Sequence, residues 1–140
     1  MKKFEILEHK ADLKIRVFGK DKKELFENAM IGMFESAKYE PAFAEATAGK
    51  EIKKEIKVSS LDLPSLLVDF LSEVLYLSEI NHEIYHQIQF RKLTNKNIEG
   101  NLFGEKLKTI GVIIKGVTYY SLDIHQKKDK TWETTVLFDI

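Results

Sequence analysis

The chain has 140 residues, 44% hydrophobic and 31% charged, which suits one domain with a real core and excludes a collagen-like or extensively disordered protein. Its 22 basic residues balance 22 acidic ones, so no net positive field steers it towards phosphates, and strong direct nucleic-acid binding is not expected. With no cysteine, disulfides, thiolate metal sites, iron–sulfur clusters and Cys nucleophiles are all excluded.

In chain order, residues 3–19 read as two short strands around a polar turn, Glu8-His9-Lys10-Ala11-Asp12. Leu13, Ile15 and Val17 alternate with Lys14 and Arg16, the period of a half-buried strand. Asp21 followed by Glu24 predicts a capped helix start. Leu25, Phe26, Ala29, Met30, Met33, Phe34 and Ala37 then form one apolar stripe, so a helix is expected from Lys22 to Lys38, ending before Pro41. Residues 40–50, with an Ala-rich run at 42–48, have no stripe to dock and read as a surface loop. Ile52 to Val58 predicts a strand whose charged alternate positions suit a sheet edge. Asp62 and Pro64 open a second helix carrying Leu63, Leu66, Leu67, Phe70, Leu71, Val74 and Leu77, which ends near Asn81. Beyond it strands take over: Ile84 to Arg91, a short weak segment around Leu102 between Gly100 and Gly104, Ile110 to Val117, Tyr120 to Ile124, and Trp132 to Phe138. Residues 126–130 form the hairpin loop before the last of these.

About eight strands and two helices, with the strands consecutive in the second half, predict an α+β fold. The expected form is a two-layer α/β sandwich: a mainly antiparallel sheet with both helices on one face, as one domain over residues 1–140. No apolar run nears the roughly 18–20 residues of a bilayer span. The start, Met1-Lys2-Lys3-Phe4-Glu5, has no apolar stretch behind its lysines, so neither a signal peptide nor a membrane is expected, and a cytoplasmic location is the simplest reading.

Nucleotide motifs are absent: there is no G-x-x-x-x-G-K-S/T and no G-x-G-x-x-G. Ser59, Ser60 and Ser121 lack a nucleophile-elbow context. His82 and His86 are four apart, but Asn81 marks a helix end, so they do not share a helical face. The acidic elements carry more. Asp12 lies in a turn three residues after His9, and the sequence given closes on Asp139-Ile140 at the end of an alternating strand. A side-chain carboxylate and an α-carboxylate on adjacent residues repel unless water, a cation or a basic side chain relieves them. Oxygen-only ligands suit Ca²⁺, Mg²⁺ or Mn²⁺ rather than zinc. Spacing alone does not bring Asp12 to Asp139.

Five segments in register resemble the archease family. His9-Lys10-Ala11-Asp12 is similar to its H-x-A-D turn; Phe26-Glu27-Asn28-Ala29 with Met33-Phe34 resembles its first helix, and Leu66 to Leu77 its second. Ile114-Lys115-Gly116-Val117-Thr118-Tyr119-Tyr120 resembles its K-A-V-T-Y-H strand pair, and Trp132 to Ile140 its ending. The resemblance implies a divalent-cation protein, usually with calcium, whose ligands would be Asp12, Asp139 and the terminal carboxylate of Ile140. His9 would stand behind these ligands, supporting them without touching the ion. Lys115 falls on a lysine the family treats as functional, although its strand setting also allows a structural salt bridge. The implied activity is non-enzymatic: the protein would assist an RtcB-type RNA ligase in tRNA splicing and RNA repair by promoting guanylylation of the ligase and its multiple turnover. The alternatives are a chaperone-like binding module for another RNA-processing enzyme, such as a tRNA methyltransferase, and a small hydrolase using Asp12, His9 and Asp139. The chain departs from the family at Lys10, often Thr there, and at Tyr120, usually histidine, while 42–48 match no part of it.

Overall fold

The structure, a computed structural model, describes residues 2–42, 51–118 and 123–140. The N-terminal hairpin is β1 (Phe4–His9) against β2 (Asp12–Gly19). Alternation in β2 does what period two requires: Leu13, Ile15 and Val17 are fully buried, while the residues between them stay half-buried on the other face.

Helix α1 (Lys22–Ser36) starts at Asp21, whose carboxylate accepts the Glu24 N–H at 2.8 Å. Asp21 thus satisfies a donor that the first turn leaves unpaired, and Glu24 reaches back to the Lys20 N–H, just ahead of the cap, at 3.0 Å. Every residue of the expected stripe is buried, from Leu25 to Ala37. The helix stops two residues short of Lys38, which takes a positive φ of 59°. Helix α2 (Leu63–Asn81) starts at Asp62, whose carboxylate accepts the Ser65 N–H at 2.8 Å, with proline in the first turn. It ends on His82 in the left-handed region, φ 54°, whose N–H returns to the Ser78 carbonyl. The helices meet through Phe26 and Phe70, ring centroids 5.7 Å apart.

The other strands are β3 (Tyr39–Pro41), β4 (Ile52–Ser59), β5 (Glu83–Leu93), β6 (Asn97–Ile110), β7 (Gly116–Thr118), β8 (Ile124–Gln126) and β9 (Trp132–Asp139). The α+β class holds: among the described residues all pairings are antiparallel and there are two helices. The strands divide between two sheets, a five-stranded one ordered β1-β2-β9-β7 with β8 also on β9, and a four-stranded one in which β3, β4 and β5 all pair with β6. Helix α1 packs on β2 of the first sheet and β5 of the second, and one continuous apolar core joins both sheets and both helices.

Three local expectations need correction. Residues 39–41 form β3 rather than the beginning of a loop; the rest of the Ala-rich run, from 43 on, lies outside the described residues. The weak segment around Leu102 is the middle of the longest strand, β6. Gly100 and Gly104 do not bound it: an added Cβ would collide with the carbonyl oxygens of Gln89 and Ile84, so glycine is what lets β5 close over β6. Both lie beside bulges in β5, at Tyr85/Gln87 and Phe90/Lys92. On this edge strand Ile88, in register with Leu102, turns its N–H away from β6, and the Glu27 carboxylate accepts it at 3.0 Å. Finally, Ile110 to Val117 is not one strand; β6 ends at Ile110 and β7 starts at Gly116.

Candidate metal centre

Strand β9 runs in the interior of the first sheet, and its last residue, Asp139, lies between two neighbours. On one side it is the register partner of Asp12, the first residue of β2; on the other it pairs with Gly116, the first residue of β7. Directly opposed residues share a sheet face, with Cβ atoms about 4.5–5.5 Å apart. Leu13 and Phe138, the next pair along, are both fully buried on the core face, so Asp12 and Asp139 share the outer face. The fold thus makes the juxtaposition that sequence spacing alone could not.

Like charges directly opposed across a ladder destabilise it. Nothing basic is interposed in this row: its third member is Gly116, where an added Cβ would meet no atom within 4 Å. The space beside the two carboxylates is therefore open. Ile140 follows Asp139 out of β9 with its side chain packed at the edge of the core. Two carboxylates in register make an oxygen donor set, and that chemistry fits Ca²⁺, Mg²⁺ or Mn²⁺. Among the described residues no three His, Cys, Asp or Glu side chains converge on one point, so a cation here depends on main-chain or terminal oxygens and water for its remaining ligands.

Lys115 is exposed and lies just before β7, its N–H donating to the Asp139 carbonyl at 2.7 Å. Its ammonium enters no ion pair among the described residues. His9 is less well placed. Its register partner is Leu13, one position out of the row that holds Asp12 and Asp139. Tyr120 lies outside the described residues. His86 faces Glu51 at 3.8 Å from β5, while His82 caps α2, so these two histidines serve separate elements.

Tyr39 was invisible as a site residue in the sequence. Its hydroxyl accepts the Ile114 N–H at 3.1 Å, fixing the turn that carries Lys115 into contact with Asp139. Burial, assisted by the charge of Glu79, raises its pKa above the ordinary tyrosine value, so the hydroxyl remains protonated there. Only its neighbour Pro41 hinted at anything local, and that hint concerned the end of a helix.

A model of the archease protein family matches residues 4–140. The chain belongs to the archease family. An archease from Methanosarcina barkeri is 37% identical over 99% of this chain and 97% of its own length. One from Pyrococcus abyssi is 29% identical over the full length of both. Two solved structures share the archease fold: protein 1598 of Methanobacterium thermoautotrophicum, at TM-score 0.65 and 25% identity over all of both chains, and a Thermotoga maritima protein at TM-score 0.67 and 20% identity over 96% of this chain and 94% of that one. The latter is described as an archease and possible chaperone. Among the described residues no helix is long and apolar enough to cross a membrane.

Proposed function

We propose that this archease is a metal-binding accessory protein, not an enzyme, that activates an RtcB-type RNA ligase. It would promote guanylylation of the ligase and sustain its turnover in tRNA splicing and RNA repair. The observation that carries the metal half is the register pair Asp12–Asp139, which joins two acidic motifs 127 positions apart in the chain (139 less 12) at one point on the sheet. Asp12, Asp139 and the terminal carboxylate of Ile140 are the proposed ligands, with Ca²⁺ the proposed ion. Bound there, the ion would neutralise the opposed carboxylates and tie β2 to β9. Lys115 is the proposed activating cation: its backbone is tied to Asp139, while its ammonium extends into solvent where a partner could meet it.

The family membership and the balanced charge support the partner half, since a protein without a basic surplus is better suited to acting on a protein than on phosphates. Mixing the chain with a cognate ligase, GTP and calcium is expected to speed ligase guanylylation over many turnovers, and Asp12→Ala is expected to return the rate to that of ligase alone. No acceleration by folded native protein would refute the activation. A second reading is a chaperone-like module for another RNA-processing enzyme, such as a tRNA methyltransferase, with the metal purely structural. Calcium that raises the melting temperature without affecting the ligase would favour it.

Terminal ligation has its own test. A tag appended after Ile140 is expected to weaken calcium binding in calorimetric titrations, and an N-terminal tag to leave it unchanged. Equal affinities would exclude the α-carboxylate as a ligand.

A further inference from the structure

At the other end of the first sheet from the acidic row, β2 and β9 meet again where Gly19 pairs with Trp132. At roughly 3.3 Å per residue this end lies about 23 Å along β2 from Asp12. Two lysine runs leave it. One leads into α1 and carries Lys20, Lys22 and Lys23; the other is the β8–β9 loop, with Lys127, Lys128 and Lys130. Each run lays a lysine on an aromatic ring of the opposite strand, which brings the two together. The Lys127 ammonium is 6.0 Å from the centre of the Phe18 ring, and that of Lys22 is 5.4 Å from the centre of the Trp132 ring. All six lysines but Lys22 are exposed. The acids between them serve local structure: Asp21 caps α1, Glu24 accepts the Lys20 N–H, and Asp129 accepts the Thr131 N–H at 3.0 Å. Lys20 lies 4.0 Å from Glu24 and Lys127 3.9 Å from Glu133. Lys23, Lys128 and Lys130 enter no ion pair among the described residues.

We propose that this lysine end is a contact surface for the phosphate backbone of a nucleic-acid strand, bound weakly and without regard to base sequence. Zero net charge removes long-range steering but not a local contact, because salt already screens charges beyond about 10 Å. The residue types choose phosphate over an acidic protein. Cores of protein interfaces are enriched in aromatic residues and arginine and depleted of lysine. Here the cations are lysine alone, since both arginines of the chain, Arg16 and Arg91, pair with Glu5 and Glu55 elsewhere. No strongly exposed large hydrophobic residue lies in either run, and Phe18 and Trp132 are half-buried beneath their lysines. The same lack of exposed apolar side chains disfavours a membrane surface, into which an apolar face would have to insert. An ammonium is a hydrated point charge that meets a phosphate without the fixed two-pronged geometry of guanidinium, which suits backbone contact. The inference goes beyond the activation of a ligase and does not depend on it.

The probe is a fluorescein-labelled oligouridylate of about 20 nucleotides, titrated with the full chain and read by anisotropy between about 50 and 200 mM salt. Chelator is present throughout, so that no divalent ion bridges phosphates to the acidic row. Binding is expected at the low end of that range. Its logarithm should fall with the logarithm of salt by roughly 0.7 for each phosphate neutralised. Lys23→Gln with Lys128→Gln removes two exposed, unpaired ammonium groups, one from each run. This double variant is expected to bind about tenfold more weakly and to flatten the slope by about 1.4, the share of two contacts. Lys53→Gln with Lys106→Gln removes the same charge from exposed positions on β4 and β6, and should leave affinity and slope nearly unchanged. Unchanged melting temperatures will show that both variants fold. The proposal is overturned if the native chain does not bind the strand at low salt, or if the two double variants lose affinity alike. Polyglutamate of equal length binding as tightly would make the partner an acidic protein, and tighter binding to phosphatidylserine vesicles would make it a membrane. Either result overturns the proposal, and none of these outcomes turns on whether a ligase is activated.

Discussion

At the scale of single residues, the opposed carboxylates of Asp12 and Asp139 make a prediction that separates a metal site from a solvated chain end. Without metal, the pair costs the ladder about 0.2–1 kcal/mol by like-charge opposition. Asp12→Asn is therefore expected to melt at the same temperature as the native chain, or slightly higher, in chelator. In calcium the order should reverse, because only the native chain gains binding free energy in the folded state. Thermal melts of both proteins with chelator and with calcium check this, and parallel curves would mean that no ion bridges the row. His82 makes a prediction of the opposite kind. It caps α2 at φ 54°, where a side chain is disfavoured, and uses only its backbone there: its N–H reaches Ser78 and its carbonyl accepts from Leu107. His82→Gly is expected to gain roughly 0.5–1 kcal/mol, seen as a rise of a few degrees in melting temperature.

At the scale of elements, β5 and β6 depend on two missing side chains. Gly104→Ala places a methyl group against the Ile84 carbonyl, and neither backbone can yield without breaking ladder bonds. The expected loss is about 3 kcal/mol, on the order of 10 °C in melting temperature, measurable by calorimetry. Alanine at Gly116, by contrast, meets open space and should leave stability nearly unchanged. The same glycines show where sequence reasoning stops. Both helices were legible because their stripes, such as Leu66 to Val74, are set by local period and their starts by Asp21 and Asp62. The course of β6 was not, because a glycine that admits a neighbouring backbone looks the same in sequence as one that ends a strand. The candidate metal site divides along the same line. Asp12 and Asp139 were nameable as acids at strand ends, but their opposition is a long-range register, and only the placing of β9 beside β2 creates it. Tyr39 acts through the backbone of Ile114, a contact spanning 75 positions that leaves no periodic trace.

At the scale of the whole molecule, two buried tyrosines tie α1 and the second sheet to the rest, and they make the fold sensitive to alkali. Burial raises the pKa of Tyr85 far above the ordinary value of 10.0, and its hydrogen bond to the Glu83 carboxylate, 2.7 Å, adds to the shift because ionisation would oppose two anions. Tyr39 is raised in the same direction, also chiefly by burial. In the unfolded chain both would titrate near 10, so above that pH the unfolded state sheds protons that the native state keeps. Stability from these groups is complete below the unfolded value and is lost as pH rises towards the folded ones, by up to about 1.4 kcal/mol per pH unit for each tyrosine. Phenylalanine at both positions removes the linkage, though Tyr39→Phe also strips the Ile114 N–H of its acceptor, a buried loss of about 1–3 kcal/mol at every pH. The double variant is accordingly expected to start less stable at neutral pH, yet to show a flatter fall in denaturant midpoint above 10 than the native protein. Equal slopes would place the alkaline sensitivity elsewhere. Because Tyr39 also fixes the segment bearing Lys115 beside Asp139, calcium affinity should fall with Tyr39→Phe and hold with Tyr85→Phe, which separates the tyrosine beside the proposed metal row from the one whose hydroxyl serves the Glu83 carboxylate.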